Sequence, residues 1–255
     1  ARLFLNSGIP DPNKLIGRYL TYHGKGSIEF IFKNTPVWGS YRPDSSFQPR
    51  TALGSLQLRD LYLINDKNTY LSKGGKFSIY DPYTVNQPIK AISRCGFLPR
   101  KAKNVWGKDL VDRIIELSTN GGASFSLYDN RVELHETKKD EWGVPLAKVY
   151  YYHHDYDIDL TKYALDKIEQ IMVSAGGELR LKEYQGIDNS GYGHNHGTLR
   201  AGANKDSSVL DKNCQSWEVN GLYVLDSAWM PTAGASNPTL TQIANVYRVC
   251  EKISK

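Results

Sequence analysis

No apolar run in this 255-residue sequence approaches the roughly 20 residues that a membrane-spanning helix requires. Leu3-Phe4-Leu5 is far too short for the core of a secretory signal, so none is expected within the chain. Cysteine is scarce. Cys95, Cys214 and Cys250 are far apart, odd in number and without metal-ligand spacing. That argues against a disulfide framework and leaves the redox compartment open. A charge excess of one sign is also lacking, since 32 basic and 27 acidic residues leave a net charge of only +5. Electrostatics therefore name no partner. The basic cluster Arg100, Lys101, Lys103 and Lys108 reads as a solvated loop rather than a nucleic-acid surface. There is no repeat and no low-complexity tract.

What the chain has in plenty is aromatic surface. Seventeen Tyr and five Trp suit a sizeable core and a wet, amphipathic pocket. The length allows one large domain or two small ones. Strand-like runs lie at 27–32, 61–65, 77–80, 144–153 and 178–184, while 81–108 reads as loop. Ser124–Tyr128, Asp129-Asn130 and Arg131–His135 predict a tight hairpin. Leu160, Ala164, Ile168, Ile171 and Ala175 recur at helical steps, and Gly176-Gly177 is a stop signal. Leu222–Leu225 reads as a short buried strand, followed by a last helix that starts near Asn237-Pro238. These patterns predict a mixed α and β chain rich in antiparallel pairing, without the βαβ alternation of a parallel sheet.

The chemistry concentrates between Gly191 and Thr241. A Gly-rich loop, Gly191-Tyr-Gly-His194-Asn-His196-Gly197-Thr198, makes His194 sterically accessible. Asp226 follows a strand-like run, and a helix opening at Asn237 aims unpaired N–H groups and a positive dipole end at whatever lies before it. On these features alone each residue has an ordinary alternative. His194 could be a surface-loop histidine, Asp226 a turn-former, and Asn237 or Ser236 a helix cap. His194 and His196 share a face of an extended segment, but no third ligand is evident and a metal site is not expected. His153 and His154 would point to opposite faces of a strand and could not co-ligate.

The ordered set His194-x-x-Gly197-Thr198, Leu222-Tyr-Val-Leu-Asp226, Pro231-Thr232 and Asn237-Pro238-Thr239-Leu240-Thr241 resembles the end of glucose–methanol–choline (GMC) oxidoreductases. Ala1–Ile9 resembles the tail of that family's second signature, and Ile16-Gly17-Arg18-x-Leu20-x-x-His23 the segment after it. Asn130–His135 and Lys138–Pro145 resemble the substrate-domain hairpin of its sugar-oxidising branches.

The resemblance implies an α+β fold with a large, mostly antiparallel sheet and flanking helices. It adds the C-terminal strand–helix part of an incomplete FAD-binding fold. Residues 1–30 would be a remnant of the FAD-binding domain, 31–185 the substrate-binding domain, and 186–255 the catalytic loop with the FAD-domain strand and helix. His194 would be the base that takes a hydroxyl proton, with Asn237 hydrogen-bonding the substrate oxygen. Asp226, Ser227 and Ala228 would contact the flavin ribityl–phosphate region, and Pro238 and Thr239 its pyrimidine edge. His23 matches the pattern and is expected to be structural.

The Gly-x-Gly-x-x-Gly turn that would hold the FAD pyrophosphate is absent, and Gly74-Gly75 and Gly121-Gly122 do not replace it. With Ala1 in place of Met at the start, this predicts a chain lacking its dinucleotide-binding half and inactive alone. Expected partners are a sugar or other alcohol, and the missing half or an electron-transfer protein. Export to the periplasm or beyond is the favoured compartment by resemblance. The competing reading is a non-catalytic carbohydrate-binding or interaction module without flavin.

Overall fold

The computed structural model describes residues 1–23, 25–31, 56–72, 74–80, 114–120, 124–185, 194–234 and 236–254. Two compact units emerge, one of residues 1–24, 122–158 and 189–255, the other of 25–121 and 159–188. The architecture is mixed α and β with antiparallel sheets, as the patterns implied. Cys95, the basic cluster at 100–108 and the loop-like stretch 81–108 fall outside the described residues.

The second unit holds β1 (Lys25–Ile31), β2 (Leu56–Leu58), β3 (Lys76–Tyr80), β4 (Ile114–Asn120) and β7 (Glu178–Gln185). They form a five-stranded sheet in the order β2-β3-β4-β1-β7, each neighbouring pair antiparallel. Ile28 and Phe30 of β1 are fully buried. They pack with Ala164, Leu165, Ile168 and Met172 of α2 (Asp155–Ser174). A β-carbon added at Gly26 would lie 2.8 Å from a Leu165 methyl, so helix and strand approach closely there. The buried face of α2 centres on Thr161, Ala164, Leu165 and Ile168, which leaves the predicted Ile171 on its exposed margin. Gly176 then turns left-handed at φ +89°. Its N–H reaches the Val173 carbonyl and that of Gly177 the Met172 carbonyl, both at 2.9 Å. This is the Schellman pattern that the glycine pair announced.

The first unit contains α1 (Arg2–Asn6), the two-stranded β5 (Arg131–Lys139) and β6 (Pro145–Tyr150), and α3 (Thr239–Ile253). Its core joins Phe4, Leu15, Ile16, Leu199, Leu210, Val224, Ala228 and Val249. Arg2 donates to Asp140 at 2.6 Å and to the Pro145 carbonyl at 2.7 Å, which ties α1 to the β5–β6 turn. This guanidinium holds the Asp140 carboxyl below the ordinary carboxylate range.

Three predicted elements differ. Ser124–Tyr128 is not a strand, and the hairpin is instead β5–β6 around residues 140–144. The edge of β5 that Ser124–Tyr128 would have paired is taken by the Gly17–Leu20 segment, with Val132 N–H on the Gly17 carbonyl at 2.9 Å. Residues 61–65 form no continuous strand: Leu63 is a single bridge residue, flanked by the Ile64 N–H on the Ser72 carbonyl at 3.1 Å and the Gly74 N–H on the Tyr62 carbonyl at 2.9 Å. The run 222–225 carries a single bridge, Gln215 to Tyr223, since Cys214 at φ +62° breaks the opposing segment. β4 had no counterpart in the sequence reading.

Asp157 at the start of α2 is almost fully buried, and both carboxylate oxygens accept from the Phe125 N–H, at 3.2 and 3.3 Å. Burial raises its pKa to about 6, outweighing the Phe125 bond and the neighbouring His154. A folded-state pKa above the unfolded one means that ionisation opposes folding, with a cost that appears as pH rises from about 4 to 6. Asp157→Asn should therefore stabilise the protein at pH 7 by about 2 kcal/mol and have no effect below pH about 4. Denaturant unfolding across that range checks this, and a destabilised variant at pH 7 would refute it.

Candidate active site

The sequence of the candidate site has almost no regular secondary structure, so its backbone polar groups must be satisfied segment by segment. Residues 17–21 supply most of the partners. On one edge, Gly17 donates to the Thr198 carbonyl at 2.8 Å, and Thr21 and His196 exchange both N–H···O bonds at 3.0 Å. On the other edge, Leu20 donates to the Asn130 carbonyl at 2.9 Å. Beyond His196, Leu199 donates to Ala228 and Ala201 to Trp229, at 3.0 and 2.8 Å. The loop bearing His194 is thereby tied to the turn bearing Asp226.

Two residues make this close lattice feasible. Gly197 sits at φ +94°, and a β-carbon there would lie 2.0 Å from the Tyr19 carbonyl oxygen. Asn130 is completely buried, and its amide both donates to the Tyr152 carbonyl at 2.9 Å and accepts the Tyr152 N–H at 2.7 Å. Sequence reasoning took Asn130 for an ordinary turn residue, and nothing local distinguishes a staple from a turn. Tyr19, itself left-handed at φ +62°, is covered by the Arg200 guanidinium at 3.7 Å from its ring centroid.

His194 is partly buried and holds φ +72°, a conformation uncommon for a side chain of its size. Its ring lies edge-to-face on His23, with centroids 5.1 Å apart, and His23 meets His196 in the same manner at 5.5 Å. His196 is 1% exposed, and burial, reinforced by nearby charge on His194, lowers its pKa to about 4. It is therefore neutral at neutral pH. Among the described residues no group of three metal-ligating side chains is arranged to hold a metal ion.

Asp226 is exposed and opens a 3₁₀ turn over Ser227–Trp229. One of its carboxylate oxygens accepts the Ala228 N–H at 2.8 Å, which is the turn-forming role of such a residue. Ala228 is buried, while Ser227 is partly exposed. α3 starts at Thr239, one residue later than predicted, with Pro238 in the cap position and no side-chain cap. Neither Ser236 nor Asn237 occupies that position. Asn237 and Thr239 are exposed and Pro238 is buried. The first N–H groups of α3 thus lack a side-chain acceptor from the cap residue. Val249 of α3 shares a core with Ala228, so the helix, the Asp226 turn and the His194 loop belong to one packed unit.

Residues 127–245 match the family described as GMC oxidoreductase. The chain is 36% identical to a 2-methyl-1,2-propanediol dehydrogenase of Mycolicibacterium austroafricanum over 52% of this chain and 24% of the relative. It is 31% identical to a C-glycoside 3-oxidase of Arthrobacter globiformis over 50% of this chain and 24% of the relative. An FAD-dependent oxidoreductase from Chaetomium thermophilum, solved with a bound fragment, shares the fold at a TM-score of 0.50 and 15% identity. That likeness covers 99% of this chain and 51% of the other. The chain thus spans about half of the solved protein, and the matched stretches about a quarter of these curated relatives.

Gly197→Ala should destabilise the first unit by about 3 kcal/mol, since the left-handed backbone and the Tyr19 carbonyl both oppose a β-carbon. Denaturant unfolding measures it, and a neutral substitution would show that the two segments do not approach as closely as described.

Proposed function

We propose that this chain supplies the proton-accepting side of the active site of an FAD-dependent oxidoreductase that converts an alcohol, a sugar hydroxyl, to a carbonyl. The carrying observation is His194, held in a strained backbone conformation on a loop whose buried bonds tie it to the Asp226 turn. Strain retained in an otherwise well-bonded loop is the mark of a position kept for chemistry. The sugar reading draws on the hairpin motif at 130–145 and on the glycoside named for one relative.

The residues present fit a flavin on one physical ground. The uncapped start of α3 offers N–H donors and a favourable potential to an electron-rich edge, beside Pro238 and Thr239. The exposed Asp226 and Ser227 would serve the ribityl–phosphate region, whereas the Ala228 N–H is already engaged by Asp226. When bound, the flavin accepts the hydride from the carbinol carbon. His194 takes the hydroxyl proton on an imidazole nitrogen, and Asn237 hydrogen-bonds the same oxygen. The chain's part is thus to orient the hydroxyl and hold its proton. Residues 31–185 would form the substrate-binding part, and residues 1–30 and 186–255 would complete the flavin side.

His194→Ala in the complete, flavin-loaded protein should slow reduction of the flavin by alcohol about 100- to 10,000-fold. Stopped-flow absorbance measures this. Reduction as fast as in the unaltered protein would remove His194 from the chemistry and favour a binding module.

A further inference from the structure

One hydrogen-bonded bridge fixes the geometry of three histidines. Thr21 and His196 are paired antiparallel. Counting two residues outward from that pair sets His23 opposite His194. The ring contacts follow this register. His23 touches His194 at 5.1 Å with an interplanar angle of 81°, and His196 at 5.5 Å with 67°. His23 is 5% exposed and His196 1% exposed, whereas His194 is only partly buried. The two buried rings meet edge-to-face, and the more accessible His194 ring rests edge-to-face on His23.

His194 is left-handed and only partly buried, so its ring has packed neighbours on one side and open space on the other. Its ring must be set by what it packs on. Edge-to-face contact is directional, because the positive rim of one ring seeks the negative face of the next. We propose that His23 is the positioning residue of His194: its buried ring, in contact with both His194 and His196, fixes the plane of the His194 imidazole. This deepens the reading of His194 as base and rests on it for its functional meaning. The geometric claim stands on the packing alone. What matters at position 23 is a flat ring of this size, and the polar nitrogens of His23 are secondary.

The test uses this chain as it is, labelled with ¹⁵N-histidine, so that it needs neither flavin nor substrate. The unaltered protein should show one set of His194 ring resonances, without microsecond-to-millisecond exchange broadening. His23→Leu, of similar bulk without the flat ring, should give several sets or broadened His194 signals. His23→Phe should restore the single set. If His23→Leu does not fold, as judged by circular dichroism, His23→Gln takes its place in the same comparison.

An unchanged His194 spectrum in the folded Leu or Gln variant overturns the proposal. So does a dispersed His194 spectrum in folded His23→Phe. Failure of His194 as the base would appear only in the flavin-reduction measurement and leave these spectra untouched, so the two ideas fail separately.

Discussion

The exchange of backbone hydrogen bonds between Thr21 and His196 is the constraint on which the candidate site depends. A buried segment outside regular secondary structure has few ways to pair its amides, and each lost pairing costs on the order of 1–3 kcal/mol. Once Thr21 and His196 are locked, Gly197 must pass within touching distance of the Tyr19 carbonyl, and no residue with a side chain fits. The next bonds, Leu199 to Ala228 and Ala201 to Trp229, carry the same strip to the Asp226 turn. Packing of Ala228 with Val249 then fixes the start of α3. The loop, the turn and the helix start are thus consequences of one short pairing.

Burial in this unit shifts its ionisable groups toward their neutral forms. His196 is pushed well below the pH range where an imidazole ordinarily charges, and Asp157 well above that of a carboxyl. Both shifts come first from burial.

How far all this was legible in the sequence depends on whether the deciding force was local. The helix α2 was legible because its apolar period and its Gly176-Gly177 stop are both local signals. The hairpin at 124–135 was misplaced because Asp129-Asn130 is good turn chemistry in either setting. Tertiary pairing of β5 with β6 and with Gly17–Leu20 decided between them. β4 is defined by its neighbours β1 and β3, and its own text did not announce it. At the site, the motif text located His194, Asp226 and Asn237, but not their supports. Asn130 as a staple, and His23 as the neighbour of His194 some 170 positions away, follow only from long-range register.

The central claim is that residues 194–198, irregular as they are, are held as firmly as a strand. Native-state hydrogen exchange at the Thr21 and His196 amides tests this most directly. Protection close to that of the buried α3 amides, lost only on global unfolding, is what the Thr21–His196 pairing predicts. Exchange at the rate of an exposed loop would contradict it, and would leave His194 without a fixed place in the site.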